Sequence, residues 1–337
     1  MKVLVAMSGG IDSTVCVKLL KEAGHEVVGC YMKLHQKEGY HEKNIKNVEL
    51  VGKFFGIKTT VLDLEDEFKK FVYDPFVNIY KEGKTPNPCV YCNKKIKLGA
   101  LLNYALENGF ERLATGHYAR VENGLIKAAK DESKDQSYFL ANIDKSAISH
   151  MIFPLGNLYK KEIREMIGGY CELLDITSQK ESSEICFVEN SYIEILNRHF
   201  NTQKPGLVKD TNGNIIGTHK GYMHYTIGKR RGFTLNCAHE PHYILEINAQ
   251  NNELIVGTKE ELRVSEFHIS NLNTFTKLSS KFNAFVKIRY KSPMLMATVD
   301  KEELKVSLKE PVYGVAKGQL AVFYDEEKRV LASGFIA

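Results

Sequence analysis

Residues 2–7 (KVLVAM) form a short apolar run that stops at two glycines, the pattern of a buried strand entering a tight turn. Over 15–23 the apolar residues recur at helical spacing, and 26–32 (EVVGCYM) returns to a strand-like run. The rhythm continues: 47–55 predicts a helix, 58–64 (KTTVLDL) a third strand, and 112–119 (RLATGHYA) a fourth with a glycine toward its end. This alternation predicts an α/β fold whose N-terminal part is a doubly wound parallel sheet. Ligands of such sheets sit beyond the carboxyl ends of the strands.

From about Pro205 the pattern changes to short alternating runs broken by turn signals, DTNGN at 210–214 and NAQNNE at 248–253, followed by FVKIRYKS, MATVD, LKVSLKE and LAVFYDEE. Such spacing predicts small β-rich domains. Boundaries near Glu194 and Gly257 divide the chain into 1–194, 195–257 and 258–337. At 337 residues, two or three domains are expected.

Composition narrows the class. A hydrophobic fraction of 43% with 26% charged residues is that of an ordinary globular protein. No apolar run approaches the ~20 residues that span a bilayer, and MKVLVAMSGG reaches glycine too early for a signal-peptide core. The expectation is a cytoplasmic protein without a membrane partner. Seven cysteines spread over a long chain do not make a secreted disulfide framework, so an unusual grouping of them points to catalysis, redox chemistry or metal. The net charge of +5 permits an acidic partner without demanding one, and Lys229-Arg230-Arg231 reads more readily as a solvated patch than as a nucleic-acid contact.

The first chemical signal is Ser8-Gly9-Gly10-Ile11-Asp12-Ser13, set between a strand and a helix. The glycines let backbone N–H groups approach an anion, the serines add hydroxyls, and the positive end of the helix faces the same point. The Walker lysine and the third glycine of the dinucleotide fingerprint are both missing. A plain capped turn would explain the small residues without a ligand, but the strand–loop–helix context favours phosphate.

The second signal is sulfur. Cys89 and Cys92 form C-x-x-C in a proline-containing loop that opens a helix at about Asn93, and Lys94, Lys95 and Lys97 are cations expected to favour thiolate. Half of a structural zinc site is the alternative, although no second pair follows at zinc-finger spacing. Cys186, in ESSEICF at 181–187, sits where a polar segment meets apolar residues. Alone it would read as a small buried hydrophobe, as Cys16 and Cys30 do on their helix and strand, and Cys171 and Cys237 have no motif around them.

SGGIDS matches the PP-loop of ATP pyrophosphatases, and the chain as a whole resembles the bacterial tRNA-specific 2-thiouridylases (the MnmA family). The motifs AMSGGIDS, TPNPCVYCNKKIK, ATGHYAR, SKDQSYFL, the loop with Cys186, GYMHYTIGKRRG and GQLAVFYD carry this resemblance, in that order. It implies a PP-loop domain, a small central β-rich domain and a C-terminal β-barrel, acting on the anticodon loop of tRNA. It implies ATP with Mg2+, contacted by Ala6, Met7, Ser8, Gly9, Gly10, Ile11, Asp12, Ser13, Met32 and Gly116. Cys92 matches the family's nucleophile and Cys186 its persulfide carrier, loaded by a protein sulfur donor, a persulfide relay or a cysteine desulfurase. Asn87, Pro88 and Cys89 match positions near the target base; His117, Lys134, Asp135, Gln136, Arg289, Tyr290 and Gln319 match positions that touch tRNA.

The implied chemistry is adenylation of the uridine 2-carbonyl oxygen, followed by attack of cysteine-borne sulfur with a Cys92–Cys186 disulfide forming. Many similar chains carry aspartate at the position of Cys89. A third thiol there raises a further expectation: Cys89, Cys92 and Cys186 converging as iron–sulfur cluster ligands. Two rival classes compete, a PP-loop ligase of a small metabolite and a noncatalytic RNA-binding or metal-stapled protein. The first leaves the cysteines and the β-rich tail without work, and the second leaves the phosphate loop without work.

Overall fold

The computed structural model describes residues 1–36, 39–168, 185–236 and 240–337. Cys171, Cys237 and positions 181–184 of the Cys186 motif lie outside them. The described chain groups into two compact units that are not continuous in sequence. One comprises Met1–Val72, Cys89–Phe187 and Tyr324–Leu331; the other comprises Tyr73–Pro88, Val188–Phe323 and Ala332–Ala337.

The first unit holds the parallel sheet. Its strands are β1 (Lys2–Met7), β2 (Glu26–Lys33), β3 (Lys58–Asp63), β4 (Arg112–Ala114) and, after a β5–β6 hairpin (Ala119–Glu122 and Leu125–Ala128), β7 (Met151–Ile152). The order across the sheet is β3-β2-β1-β4-β7, with every pairing parallel. Succession runs outward from β1 through β2 to β3 and then restarts on the other side at β4. The carboxyl ends of β1 and β4 therefore flank the switch point, where ligands of this architecture bind.

Helix α1 (Ile11–Glu22) buries Val15, Cys16, Val17 and Leu20 against Val3 and Val5 of β1; α2 (Tyr40–Phe55) adds Val48 and Val51, and the Lys160–Gly168 helix adds Ile163 and Ile167. Cys16 and Cys30 are both fully buried core residues, and burial pushes the Cys30 thiol up to about 12.

Two elements differ from the sequence reading. The strand expected over 112–119 ends at Ala114, because the chain leaves the sheet at Thr115 to bring Gly116 against the start of α1. The helix expected to open near Asn93 begins at Pro88, whose fixed φ and missing N–H suit a first helical turn. Both Cys89 and Cys92 therefore stand on helix, and the following Asn93–Ala100 stretch is wound as a π-helix, a form that concentrates at functional sites.

The second unit is β-rich, as the alternating pattern predicts. Strands β8 (Gly206–Lys209), β9 (Ile215–His219), β10 (Phe233–Leu235), β11 (Tyr243–Asn248) and β12 (Glu253–Gly257) make a sheet of order β10-β9-β8-β12-β11 around Val208, Ile244, Leu254 and Val256. The predicted turns fall where expected. Asp210 Oδ1 accepts from the N–H groups of Asn212 and Asn214, with Gly213 at φ +85°, and Asn252 closes the β11–β12 turn at φ +55°.

Strands β13 (Arg263–Thr274), β14 (Lys281–Lys287), β15 (Leu295–Asp300), β16 (Lys305–Tyr313), β17 (Leu320–Tyr324) and β18 (Val330–Ile336) close into a barrel of order β13-β16-β15-β14-β17-β18. Its longest strand, β13, is too polar to read as a strand from sequence, since RVSEFHISNLNT buries little beyond Phe267 and Ile269. Among the described residues no helix is long and apolar enough to cross a membrane.

Candidate active site

The loop after β1 is folded for close anion approach. Gly9 has φ +79°, and a Cβ on it would lie 3.0 Å from both Asn44 O and Asn47 Cβ, so only glycine fits between β1 and α2. Ser8 N–H donates to Ser13 Oγ at 3.3 Å, and Ser13 Oγ–H donates to Gly10 O at 3.0 Å, which draws the loop into a ring. Gly10 starts α1 with no side-chain cap, leaving the first turn of a twelve-residue helix directed at whatever occupies the loop. From β4, Gly116 abuts this turn: a Cβ there would stand 3.4 Å from Asp12 Cβ and 3.6 Å from Ser13 N. Ala6 and Met7 end β1, and half-buried Met32 lies near the end of β2. Asn47 is buried beside Gly9, and its amide nitrogen has no partner among the described residues.

Asp12 carries the loop's only charge, and two residues not singled out in the sequence hold it. Lys160 Nζ donates to Asp12 Oδ1 at 2.7 Å, and Tyr118 Oη–H donates to the same oxygen at 2.8 Å. Tyr118 was within reach as part of ATGHYAR, next to His117. Lys160 was not: it stands 148 residues from Asp12, beside a second lysine, and nothing local separates the two.

The thiols form a second cluster in the same unit. Cys92 is buried and Cys89 half-buried, while Cys186 lies in exposed chain whose next residue, Phe187, packs edge-on against Phe68 at 5.4 Å. The three are near enough to influence one another's ionisation. Burial pushes the Cys92 thiol up to about 12, opposed by the Lys97 ammonium and reinforced by Cys186 and Cys89. Burial and Cys186 push Cys89 up to about 11, against Lys97. Although the residue as a whole is exposed, desolvation of its sulfur also raises Cys186, again against Lys97.

This corrects the expectation of thiolates favoured by Lys94, Lys95 and Lys97. Lys94 pairs with Asp144 at 3.3 Å and Lys95 lies over the Phe71 ring, so Lys97 alone of the three acts on the sulfurs, and burial outweighs it. The iron–sulfur expectation gains no support from the side chains. Among the described residues no three His, Cys, Asp or Glu side chains converge as metal ligands, Cys89, Cys92 and Cys186 included.

His117 is buried three residues past the end of β4. Its Nε2 lies 3.5 Å from Lys97 Nζ and its Nδ1 2.6 Å from Thr115 Oγ1; burial and Lys97 hold its pKa well below the usual histidine value, so it is neutral. Asp135 is buried and spends its carboxylate inside the fold, accepting from Ala129 N–H at 3.0 Å and from Ser137 N–H and Oγ–H. Gln136 Oε1 accepts from Tyr118 N–H at 3.0 Å, and Lys134 beside it is half-buried.

In the second unit, Gln319 Nε2 donates to the carbonyls of Thr85 and Pro86 at 3.1 and 3.0 Å, bracing the segment that leads to buried Asn87 and Pro88. Exposed Arg289 donates to Gly314 O at 2.6 Å, and Tyr290 beside it is half-buried.

Three family models match in succession: a tRNA methyl transferase HUP domain over residues 1–190, a tRNA methyl transferase PRC-barrel domain over 193–258, and an aminomethyltransferase beta-barrel domain over 259–336. Relatives over the full length include proteins named tRNA-specific 2-thiouridylase MnmA. The one from Campylobacter concisus is 58% identical, covering 100% of this chain and 99% of that protein. Its counterpart from Campylobacter jejuni (strain RM1221) is 56% identical, covering 100% of each. A solved 4-thiouridine synthetase–RNA complex with bound ATP is similar at 20% identity and a TM-score of 0.36, over 58% of this chain and 50% of that one.

Proposed function

The chain belongs to the tRNA-specific 2-thiouridylase family, and from that premise we propose how this sulfurtransferase acts on tRNA: it adenylates the 2-carbonyl oxygen of the wobble uridine and replaces that oxygen with sulfur carried on Cys186. The observation that carries this reading is the pairing, within one unit, of a phosphate-shaped loop at the sheet's switch point with a cluster of coupled thiols. A uracil carbonyl oxygen does not leave unaided. When it attacks the α-phosphorus of ATP, the bond to pyrophosphate breaks, and the oxygen becomes part of an AMP leaving group.

Ala6 to Ser13, with Met32 and Gly116, would receive the nucleotide. Magnesium travels with ATP and needs only one or two protein carboxylates, and Asp12 is the one at the loop. The anticodon loop must present its base splayed out, near Asn87, Pro88 and Cys89.

The persulfide on Cys186, loaded by a protein donor such as a persulfide relay or a cysteine desulfurase, attacks C2 through its terminal sulfur, and AMP departs with the original oxygen. Attack of Cys92 on the inner sulfur of Cys186 then breaks the S–S bond, leaves sulfur on the base and forms a Cys92–Cys186 disulfide, which a thiol reductant reopens. Cys92 rests as a protonated thiol, so Lys97 is the group that favours its deprotonation.

Lys134, Arg289 and Tyr290 remain proposed tRNA contacts. Asp135, Gln136 Oε1 and Gln319, like the Arg289 guanidinium, already hold partners within the protein, so their contacts with tRNA would add to or replace those bonds. A methyl-transfer reading, suggested by the wording of the family models, leaves both the phosphate loop and the thiols without work. Nucleoside mass spectrometry of tRNA from a strain lacking this gene tests the proposal. Loss of 2-thiouridine is expected, and an unchanged thionucleoside profile would overturn it. Pyrophosphate release that is independent of tRNA would overturn the adenylation step.

A further inference from the structure

A triphosphate brings three to four negative charges, yet residues 8–13 offer only backbone dipoles, hydroxyls and one acid, Asp12. The sequence has no lysine in the loop to balance that charge. The fold supplies one from the helix Lys160–Gly168. We propose that Lys160 is the phosphate-binding cation of this site, held on Asp12 until the nucleotide arrives; the proposal rests on the ATP reading above.

Three observations support it. The Lys160 ammonium lies 2.7 Å from Asp12 Oδ1 with its side chain only 14% exposed, so it is at the loop and partly shielded from water, where a cation attracts an anion most strongly. Its base is rigid. Lys160 N–H donates to Asp131 Oδ2 at 3.0 Å, and Asp131 Oδ1 is itself fixed by Ser133 N–H and Oγ–H. The preceding turn is seated so tightly that a Cβ on Gly156 would lie 1.9 Å from Ala119 O, one residue past Tyr118.

Third, Asp12 does not depend on Lys160 alone. Tyr118 Oη–H holds the same carboxylate oxygen at 2.8 Å, and Lys160 Nζ lies 5.5 Å from the centre of the Tyr118 ring. When a phosphate oxygen enters, the ammonium can exchange one anionic partner for a stronger one while tyrosine keeps Asp12 in place, where its carboxylate would be available to a magnesium ion carried by the nucleotide. Lys161 cannot substitute, being 88% exposed and directed toward Glu165.

Equilibrium binding of ATP and of adenosine to the full chain and its variants tests this. Lys160→Met keeps the length of the side chain beside Tyr118 and removes the charge. It is expected to weaken ATP by roughly ten- to a hundredfold, the worth of a hydrogen bond to a charged group, and adenosine by less than about threefold. Lys160→Arg restores most of the ATP affinity.

Asp12→Asn provides a second reading that does not remove the lysine. With magnesium chelated, freeing Lys160 and removing the carboxylate should tighten inorganic pyrophosphate by roughly two- to fivefold, and adding Lys160→Met should abolish the gain. Wild-type ATP affinity in Lys160→Met, equal losses for ATP and adenosine, or a pyrophosphate gain that survives the double change would each overturn the assignment. If the wild type does not prefer ATP to adenosine, the ATP reading itself fails, and that failure is visible before any variant is made.

Discussion

The phosphate loop and the thiol cluster lie in one unit and present opposite resting states. At the loop the charges are already paired and aimed: Asp12 is held by Lys160 and Tyr118, and the end of α1 faces the same point. At the thiols the reactive form is suppressed, because burial holds Cys92 and Cys89 protonated against a single ammonium, Lys97. A phosphate site gains from holding its donors in place beforehand, since little reorganisation beyond a change of partner is then needed. A thiolate left waiting would be open to oxidation and stray disulfide exchange, and burial that keeps these thiols protonated protects them from both.

The sharpest way to break this contrast is to separate the halves. Cys186→Ser should eliminate 2-thiouridine formation, a loss on the order of a thousandfold or more as for other essential nucleophiles, while tRNA-dependent pyrophosphate release stays within about threefold. Thiolation at the wild-type rate from a persulfide donor would remove Cys186 from the chemistry. In the other direction, Asp12→Ala should reduce pyrophosphate release by roughly a hundredfold, the scale of a lost charge-stabilising group. The same variant should still melt cooperatively, and release at the normal rate would show that the loop does not manage the nucleotide.

A smaller effect sharpens the thiol side. Lys97→Met removes the one cation opposing burial, so the Cys92 thiol is raised further and its alkylation at neutral pH should slow by roughly tenfold, the order of one lost charge interaction. In the wild type the alkylation rate should keep rising with pH, with no plateau below about 12. A plateau near 7 would mean a stabilised thiolate and would erase the difference between the two sites.

The smallest expected effect is on stability. His117 is buried and neutral, with a folded pKa well below 6.5, so the unfolded chain takes up a proton at higher pH than the folded one. The associated stability is full above about 6.5 and is lost as pH falls below it. His117→Asn should flatten that acid limb of a thermal-melt series, and an identical limb in the variant would assign it to other groups.

Much of the fold was legible because its signals are local. The β1 run, the glycines after it, the return at 26–32 and the turns at 210–214 and 248–253 each express backbone constraints that a few residues impose by themselves. The phosphate loop belongs with them: Gly9 is required by its φ of +79°, and the helix it opens follows directly in the chain. Strand β13 was not legible, because half of its length faces water and its pairing with β16 and β18, rather than its own hydrophobicity, makes it a strand.

What only the tertiary structure decided is which charges act where. Lys160 and Lys161 are neighbours in sequence, yet one is 14% exposed on Asp12 and the other 88% exposed in solvent. Lys94, Lys95 and Lys97 looked equivalent beside the C-x-x-C, but in the fold the first pairs with Asp144, the second lies over Phe71 and only the third acts on the sulfurs. The reason is physical: backbone preferences act over a few residues and are written locally, whereas the strength of a charge depends on its distance to partners and on the water excluded around it. Both are set by segments that meet only once the chain has folded.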